Sequence, residues 1–387
     1  MRTKTFTTLI LLTTLLSCGE RNNQPTGDII TINVTARFPH KELIVQDFMN
    51  VEYIILEDAD DFLTQGGVLD IGNEIILVRN NIPDGNIYVF DRNGKGLRVI
   101  NRMGQGGEEY IRIHMALLDE ENRQIFVADF RRVLVYDFYG NFIRSFPIEN
   151  LRRLRRFDSE HLIGIETSVE INEHSTESQP FVLISKKDGS IVNDIRIGLE
   201  QGINPTVTGT LGDGRMFSLY LPGNVNPFVP SRYGWILSEL ASDTIFRLLP
   251  DFTKEPFIVR RPAVHSMNSE IFLLPKLITE RYYFFHTFHR DFQSSRNFTH
   301  LMYDTQENTV FRYTLYNGDF YPKRAISLSS FSAVEIDIDS GRIAFIHNIE
   351  AYQLVEAYEN GELRGRLKEI ASKLHEDSNP VIMLVKH

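Results

Sequence analysis

The sequence predicts an all-β fold: a six-bladed β-propeller of four-stranded antiparallel blades, closed by terminal strands, with a C-terminal helical segment. From Ile29 to His347 the chain consists of short β-rich runs separated by turn residues. Four such runs follow one another within residues 112–147, and about 35 residues is the length of one propeller blade. Strong helical periodicity begins only after Ile349.

Two kinds of hairpin turn recur along the chain and set the number of blades. First-to-second-strand turns are predicted at Gly72-Asn73, Glu121-Asn122, Asp158-Ser159, Asp213-Gly214, Thr279-Glu280 and Asp339-Ser340. Third-to-fourth-strand turns are predicted at residues 91–94, 137–140, 187–189, 241–243 and 305–308. The sixth blade therefore lacks an outer hairpin. Because a closed ring has no free sheet edge, we expect residues 51–56, residues 381–385, or both, to complete it.

The N-terminus reads as an export signal over residues 1–17, with Arg2 and Lys4 before a short apolar run. Leu15-Leu16-Ser17-Cys18 resembles the lipobox of bacterial lipoproteins, which implies lipidation of Cys18. Gly19 is not the aspartate of inner-membrane retention, so we expect outer-membrane attachment, facing either the periplasm or the exterior. Residues 18–28 are expected to form a flexible tether and residues 29–387 the propeller, including the helical segment 349–375. The alternative is a plain cleaved signal with an incidental cysteine.

Composition excludes several classes of function. The chain has 387 residues, 42% of them hydrophobic, which is enough for a large core. Without residues 1–17 it keeps 39 basic and 51 acidic residues, which argues against nucleic-acid binding. Cys18 is the single cysteine, so lipidation would leave no thiol for a disulfide, a metal or a nucleophile. No motif indicates a cofactor.

Three segments carry a family resemblance: the loop Gly104-Gln105-Gly106-Gly107-Glu108-Glu109-Tyr110, the early Val51-Glu52-Tyr53-Ile54-Ile55-Leu56-Glu57, and the tail Asn379-Pro380-Val381-Ile382-Met383-Leu384. They resemble segments of the six-bladed β-propeller lipoproteins of Bacteroides and their relatives. Phe126-Val127-Ala128-Asp129 with Val135-Tyr136-Asp137 is similar to an NHL-type blade. Gly107 departs from the family loop, which usually carries proline there. The resemblance implies the fold and names no activity.

The predicted loops divide the propeller into two faces. The hairpin turns described above form a short-turn face, and the second-to-third-strand loops and inter-blade links form a long-loop face. The long segments are residues 167–178, 199–207, 221–233, 253–270 and 288–297. Long ordered loops often carry function, so we expect the long-loop face to bind.

Arginine concentrates on that face. The residues are Arg131 and Arg132 in one loop, Arg152, Arg153, Arg155 and Arg156 in the link after blade two, Arg260 and Arg261 before blade five, and Arg290 and Arg296 in its inner loop. Arginine binds carboxylate and sulfate in bidentate fashion, so this mouth could take an acidic glycan or peptide. The alternative is surface arginine paired with neighbouring acids.

Other chemical signals are weak. The loop 104–110 is no phosphate loop, and Gln105, Glu109 and Tyr110 are either binding residues or parts of a structural link. His286 and His289 point to opposite faces of a strand, so we expect no metal site. Asp91, Asp137, Asp188 and Asp243 fit Asx turns. No motif marks catalytic residues.

The leading hypothesis is a lipid-anchored extracytoplasmic propeller that binds a glycan, peptide or envelope protein on its long-loop face. The alternatives are a lyase or hydrolase with a divalent metal in the central channel, and a structural subunit of an envelope complex.

Overall fold

A computed structural model describes residues 29–168, 170–204, 206–210, 213–220, 227–231, 234–290, 298–328 and 343–387. The signal segment, Cys18 and the tether lie outside these residues, as does Arg296. The structure is a propeller of six antiparallel blades, as the turn pattern predicts. Five blades each contain four consecutive strands, and three strands of the sixth lie within the described part.

The first three strands run along the outside of the ring before blade one begins. They are β1 (Ile30–Asn33), β2 (His40–Ile44) and β3 (Asn50–Ile55). β1 pairs in parallel with the last strand of blade four, and β2 pairs in parallel with the last strand of blade five. β3 is the outer strand of blade six. These three strands form an N-terminal belt over three successive blades.

The blades follow in chain order. Blade one has β4 (Gly67–Ile71), β5 (Ile75–Arg79), β6 (Asn86–Asp91) and β7 (Gly96–Asn101). Blade two has β8 (Met115–Asp119), β9 (Gln124–Ala128), β10 (Arg132–Asp137) and β11 (Phe142–Pro147). Blade three has β12 (Leu151–Arg156), β13 (His161–Glu166), β14 (Phe181–Ser185) and β15 (Ile191–Ile195).

The second half of the ring begins with a separate hairpin, β16 (Thr206–Thr210) and β17 (Met216–Tyr220). Blade four has β18 (Phe228–Ser231), β19 (Gly234–Leu237), β20 (Thr244–Leu248) and β21 (Lys254–Arg261). Blade five has β22 (Ile271–Ile278), β23 (Tyr282–His289), β24 (Thr299–Asp304) and β25 (Thr309–Asn317), and β26 (Arg324–Ile326) pairs with β25. Blade six has β27 (Ile343–Ile349) and β28 (Val381–Lys386), together with β3.

Both chain ends complete the last blade, which confirms the predicted closure. β28 lies between β27 and β3 and pairs antiparallel with both. Its residues are buried from Val381 to Val385, because the strand has neighbours on either side and blades packed on both faces. The ring is thus joined by hydrogen bonds between residues more than 300 positions apart.

The expectation for blade four was wrong in one respect. The Asp213-Gly214 turn joins β16 to β17, which form a two-stranded sheet of their own between blades three and four. Blade four starts later, at β18. Residues 241–243 therefore lie between its second and third strands, and not in the third-to-fourth-strand turn that was predicted there. The turn signal was real, but it belongs to an inserted hairpin.

The hydrophobic core lies between neighbouring blades. One cluster joins Leu77 and Val89 of blade one to Leu118 and Val127 of blade two. Comparable clusters join blades two and three, four and five, and six and one. Because each sheet is covered on both faces, its middle strands are continuous apolar runs, such as β5 and β14.

Two short helices, α1 (Ala351–Glu359) and α2 (Gly365–Ala371), connect β27 to β28 and therefore lie on the long-loop face. Leu354, Leu367 and Ile370 pack into the core between blades five and six. The two helices are separated at Gly361, whose φ of 71° ends α1, as the sequence predicts. None of the helices in the described ranges is long and apolar enough to cross a membrane.

Candidate binding site at the channel mouth

The innermost strand of blade three places its arginines along the central channel. Arg152, Arg153, Arg155 and Arg156 lie on β12 itself, so their predicted place in the link after blade two was wrong. The first strand of a blade runs from the long-loop face to the short-turn face. Arg152 and Arg153 therefore lie at the channel mouth on the long-loop face, whereas Arg156 lies at the opposite end.

A β-bulge presents two consecutive arginines at this mouth. Arg152 pairs with Ile165 and Arg155 with Ile163, so two residues of β12 face the single residue Gly164. Arg153 has a φ of 58°, which is left-handed backbone that few non-glycine residues adopt. Leu151 and Leu154 are buried while Arg152 is exposed and Arg153 half-buried. The bulge thus breaks the alternation that would send one of the two arginines into the core.

Two more arginines and a histidine lie near this point. Arg79 ends the second strand of blade one, and Arg112 and His114 lie in the link to blade two. Arg79 Nη1 donates a hydrogen bond to the Ile113 carbonyl at 3.0 Å. Burial and the neighbouring Arg112 lower the pKa of Arg79.

The pKa of His114 is affected by four neighbouring arginines. Partial burial lowers its pKa, and the positive charges of Arg152, Arg79, Arg112 and Arg153 lower it further. The depressed pKa leaves His114 neutral at pH 7. We name the four arginines (Arg79, Arg112, Arg152 and Arg153), together with this neutral His114, the cationic cluster. Gathering like charges is unfavourable in the free protein, and perturbed pKa values concentrate at functional sites. The arrangement suits an anionic ligand.

Arg131 and Arg132 of blade two, predicted to act together, have different surroundings. Arg131 is exposed on the loop between β9 and β10. Arg132 donates to the carbonyls of Gly106, Gly107 and Glu109 at 2.7–3.1 Å, so it holds the neighbouring link in place. Asp129 accepts from the backbone amides of both arginines and pairs with the Arg132 guanidinium at 3.5 Å.

The loop 104–110 is built largely for structure. Tyr110 is fully buried, and its hydroxyl donates to the Gly85 carbonyl at 2.7 Å and accepts from the Arg102 amide at 2.9 Å. Burial raises the Tyr110 pKa to about 12. Glu109 turns back to accept from the Gly106 amide at 2.8 Å, and a Cβ atom on Gly104 would lie 2.0 Å from its carboxylate. Gln105 is exposed.

Two further predicted arginines, Arg290 and Arg260, are engaged in ion pairs, whereas Arg261 is exposed. Arg290 follows β23 and pairs with Glu270 at 3.0 Å, and it also donates to the Asn204 carbonyl at 3.0 Å. Arg260 lies within β21, 3% exposed, and pairs with Asp243. The prediction of an Asx turn at Asp243 was therefore wrong, because its carboxylate pairs with the buried Arg260. Asp91 and Asp137 do form Asx turns as predicted, since each accepts a hydrogen bond from the backbone amide two residues further on.

A cavity of about 340 Å³ opens on the other end, the short-turn face. It is lined by Asn73, Glu74, Leu118, Asp119, Glu120, Glu121, Arg156, Phe157, Asp158, Ser159 and Lys186. Lys186 and Asp119 form a buried ion pair at 3.1 Å, and Arg156 lies 3.3 Å from the buried Asp70. Glu120 accepts from the amides of residues 73–75 and ties blade two to blade one. These charges are largely satisfied within the fold.

The histidines of blade five give no metal site. His286 is fully buried and His289 is exposed, on opposite sides of β23, as the strand period predicts. His286 instead lies against His300, with ring centroids 4.6 Å apart. Across the described residues, no group of three or more histidine, cysteine, aspartate or glutamate side chains is arranged to hold a metal ion.

Sequence reasoning missed Arg79, Arg112 and His114. Each stands singly in the sequence, so no local motif marks them. A signal did exist: all three lie where a second strand ends or a first strand begins, and those positions meet on the long-loop face. The blade boundaries near residues 79 and 115 would have placed them beside the start of β12.

Comparisons with known proteins identify a matching family and a similar solved structure. A family model described as a domain of unknown function, DUF4934, matches residues 29–386. The crystal structure of a "Putative exported protein" from Bacteroides fragilis aligns with a TM-score of 0.57 at 14% identity, covering 92% of this chain and 99% of that one. A search of curated protein sequences finds no match.

Two further solved structures align less closely. A protein of unknown function from Bacteroides caccae has a TM-score of 0.30 at 12% identity, covering 64% of this chain and 80% of its own. A virginiamycin B lyase from Staphylococcus aureus has a TM-score of 0.33 at 9% identity, with coverages of 68% and 88%. Scores this low say nothing about the chemistry of this chain.

Proposed function

We propose that this chain, which belongs to the DUF4934 family, is an extracytoplasmic, lipid-anchored propeller that binds an acidic ligand at the channel mouth of its long-loop face. Export is supported by the signal-like residues 1–17 and by the similarity to the Bacteroides fragilis protein, which is described as exported. Anchoring is supported by the lipobox-like sequence that ends at Cys18. The residues we assign to the ligand are Arg152 and Arg153, with Arg79, Arg112 and His114 around them.

The observation that carries the proposal is the bulged start of β12. A left-handed arginine is unfavourable by about 1–2 kcal/mol, and such outliers persist where the surroundings impose them, often at functional sites. Here the outlier, Arg153, lies in a bulge that places two consecutive arginines at a mouth that already holds Arg79 and Arg112. Guanidinium forks bind carboxylate or sulfate with charge-assisted hydrogen bonds.

Binding of acidic probes to a double variant, Arg152→Gln with Arg153→Asn, tests the proposal. Asparagine tolerates the left-handed backbone at position 153, so the fold is preserved. Against oligogalacturonate, a sulfated glycan and an acidic peptide, we expect wild-type protein to bind at least one probe, and more weakly at higher salt. The variant should bind it at least about tenfold more weakly, because each lost charge-assisted bond contributes roughly 1.5–3 kcal/mol.

The matched control is Arg123→Asn with Arg366→Gln. Both arginines are exposed and ion-paired, and Arg123 also has a left-handed φ, of 52°. This control removes the same charge away from the mouth. Equal affinity of the two double variants, measured by titration calorimetry, would rule the site out.

A further inference from the structure

Exposed apolar side chains border the cationic cluster on blades one and two. Ile82 is 58% exposed, Met103 45%, Ile111 62% and Phe130 58%. Ile82 belongs to the second-to-third-strand loop of blade one, Met103 and Ile111 to the link between the blades, and Phe130 to the corresponding loop of blade two. Large apolar side chains grouped at loop tips are typical of interaction surfaces.

These four residues are here named the apolar rim, and two of them, Ile111 and Phe130, adjoin residues of the cationic cluster. Met103 packs on the loop that carries Ile82, since a Cβ atom on Gly85 would lie 2.6 Å from the Met103 Cβ. Ile111 directly precedes Arg112 in the chain. The Phe130 ring lies 5.6 Å from the His114 ring, centroid to centroid. Ile111 and Phe130 therefore adjoin the cationic cluster at Arg112 and at the neutral His114, and Ile82 and Met103 extend the rim on the neighbouring loops.

Three carboxylates in the same loops are bonded within the fold, and a fourth, Glu108, is exposed. Asp84 accepts from the Asn80 and Asn86 side chains at 2.6 and 3.1 Å. Glu109 is bonded within its own loop and Asp129 is bonded to Arg132, as described above. The surface thus combines positive charge with exposed apolar area.

The chemistry of the rim distinguishes between acidic ligands. Sugar rings stack on aromatic faces, and Phe130 is the one aromatic member of the rim. Ile82, Met103 and Ile111 are aliphatic, and aliphatic groups gain affinity by burying apolar side chains, at about 25 cal/mol per Å². Met103 adds a flexible contact that adapts to different side chains.

We propose that the ligand is an acidic peptide segment with apolar side chains, its carboxylates on the cationic cluster and its apolar side chains on the apolar rim. This inference rests on the proposed function and names its ligand class. An anionic membrane is the less favoured partner. Arg152 and Arg153 lie on the wall of the channel, where an entering chain can reach them and a bilayer surface stays outside.

Binding of four probes tests the inference, three of them measured by titration calorimetry. The probes are a short peptide alternating aspartate with leucine and phenylalanine, the same peptide with serine at its apolar positions, oligogalacturonate, and phosphatidylglycerol vesicles measured by flotation. We expect the apolar acidic peptide to bind most tightly. The variant Ile111→Ser with Phe130→Ser should weaken it about tenfold or more and leave the serine peptide unchanged.

The control is Ile191→Ser with Val192→Ser, which changes two side chains, each 51% exposed, on the outer strand of blade three. Two results would overturn the peptide inference while the proposed function survives: oligogalacturonate binding more tightly than either peptide, or a rim variant that binds like this control. Vesicle binding that exceeds peptide binding would overturn it in favour of a membrane. If no acidic probe binds, the proposed function fails as well.

Discussion

At the scale of single residues, the least satisfied group in the described core is His286. It is fully buried, and neither ring nitrogen has a hydrogen-bond partner in the described structure. Its neighbour across blade five is His300 on β24, which in turn contacts Tyr313 on β25, and the Tyr313 hydroxyl likewise has no partner in the described structure. Burial lowers the pKa of His286 well below its ordinary value, and the nearby Lys276 and His300 lower this pKa further. A buried polar group without a partner is destabilising.

We therefore expect His286→Leu to stabilise the protein by roughly 1–2 kcal/mol at pH 7. The pH dependence follows from the depressed pKa. Below about pH 6.5 the unfolded imidazole binds a proton that the folded one does not, so wild-type stability falls as the pH falls. The variant should lose less stability between about pH 6.5 and 5. Urea unfolding measures both effects. A variant of the exposed His174 is the control. If the unfolding free energy of His286→Leu changes with pH as steeply as that of this control, His286 does not titrate as described.

The arginines of β12 show where single-residue reasoning stops. Their number and type predicted a cationic mouth, and Arg152 and Arg153 do lie there. Their assignment to a link failed because four arginines in six residues do not read as a strand. The bulge at residues 153–154, which keeps the leucines inside and the first two arginines outside, follows a register that only the partner strand defines.

At the scale of elements, the turn between β6 and β7 packs directly on the N-terminal belt. The Gly94 carbonyl accepts from the Glu57 amide at 2.7 Å. Gly94 has a φ of 86°, and a Cβ atom there would lie 1.9 Å from the Ile55 carbonyl oxygen. Since the obstacle is backbone, the contact cannot be relieved by a side-chain rotation.

Gly94→Ala should therefore destabilise the protein by at least about 3 kcal/mol, from the left-handed backbone and the clash together. Gly214→Ala is the matched control, because Gly214 has a φ of 84° and no atom of the described residues lies within 4 Å of the added Cβ. That substitution should cost about 1–2 kcal/mol, from the backbone alone. Chemical denaturation compares the two, and equal losses would contradict the close approach of turn and belt.

Element prediction succeeded where hairpin turns punctuate the chain and failed where they do not. Blades one, two, three and five carry their predicted turns. β1 and β2 were not foreseen, because a short strand that adds in parallel to a sheet edge needs no adjacent turn. Lys41 of β2 is nevertheless well held: it pairs with the buried Asp304 at 2.9 Å, and Asp304 also receives two bonds from Arg281. Burial alone would raise the Asp304 pKa, but Arg281 and Lys41 hold it well below its usual range.

At the scale of the whole molecule, the ring is held closed by strands from its two ends. The count of turns predicted this closure, because five outer hairpins cannot complete six blades. β28 and β3 contribute Ile54, Ile382 and Leu384 to the core between blades six and one. Separation of these strands would expose that core and open the ring.

A disulfide across this junction should stabilise the protein markedly. Val51 and Val385 are register partners on β3 and β28, and a bridge between cysteines there would close a loop of more than 300 residues. In a Cys18→Ser background, oxidised Val51→Cys with Val385→Cys should gain up to about 5 kcal/mol over its reduced form. Thermal unfolding with and without reductant provides the comparison. A bridge that forms without any gain would show that the junction is not what limits unfolding.

Which end of the channel receives the ligand is the central question. Amide hydrogen exchange, with and without the acidic probe that binds most tightly, answers it in one measurement. We predict protection around residues 111–115 and 150–154, where the cationic cluster lies. Protection confined to residues 72–75, 119–123 and 157–160, around the cavity of the short-turn face, would contradict the account.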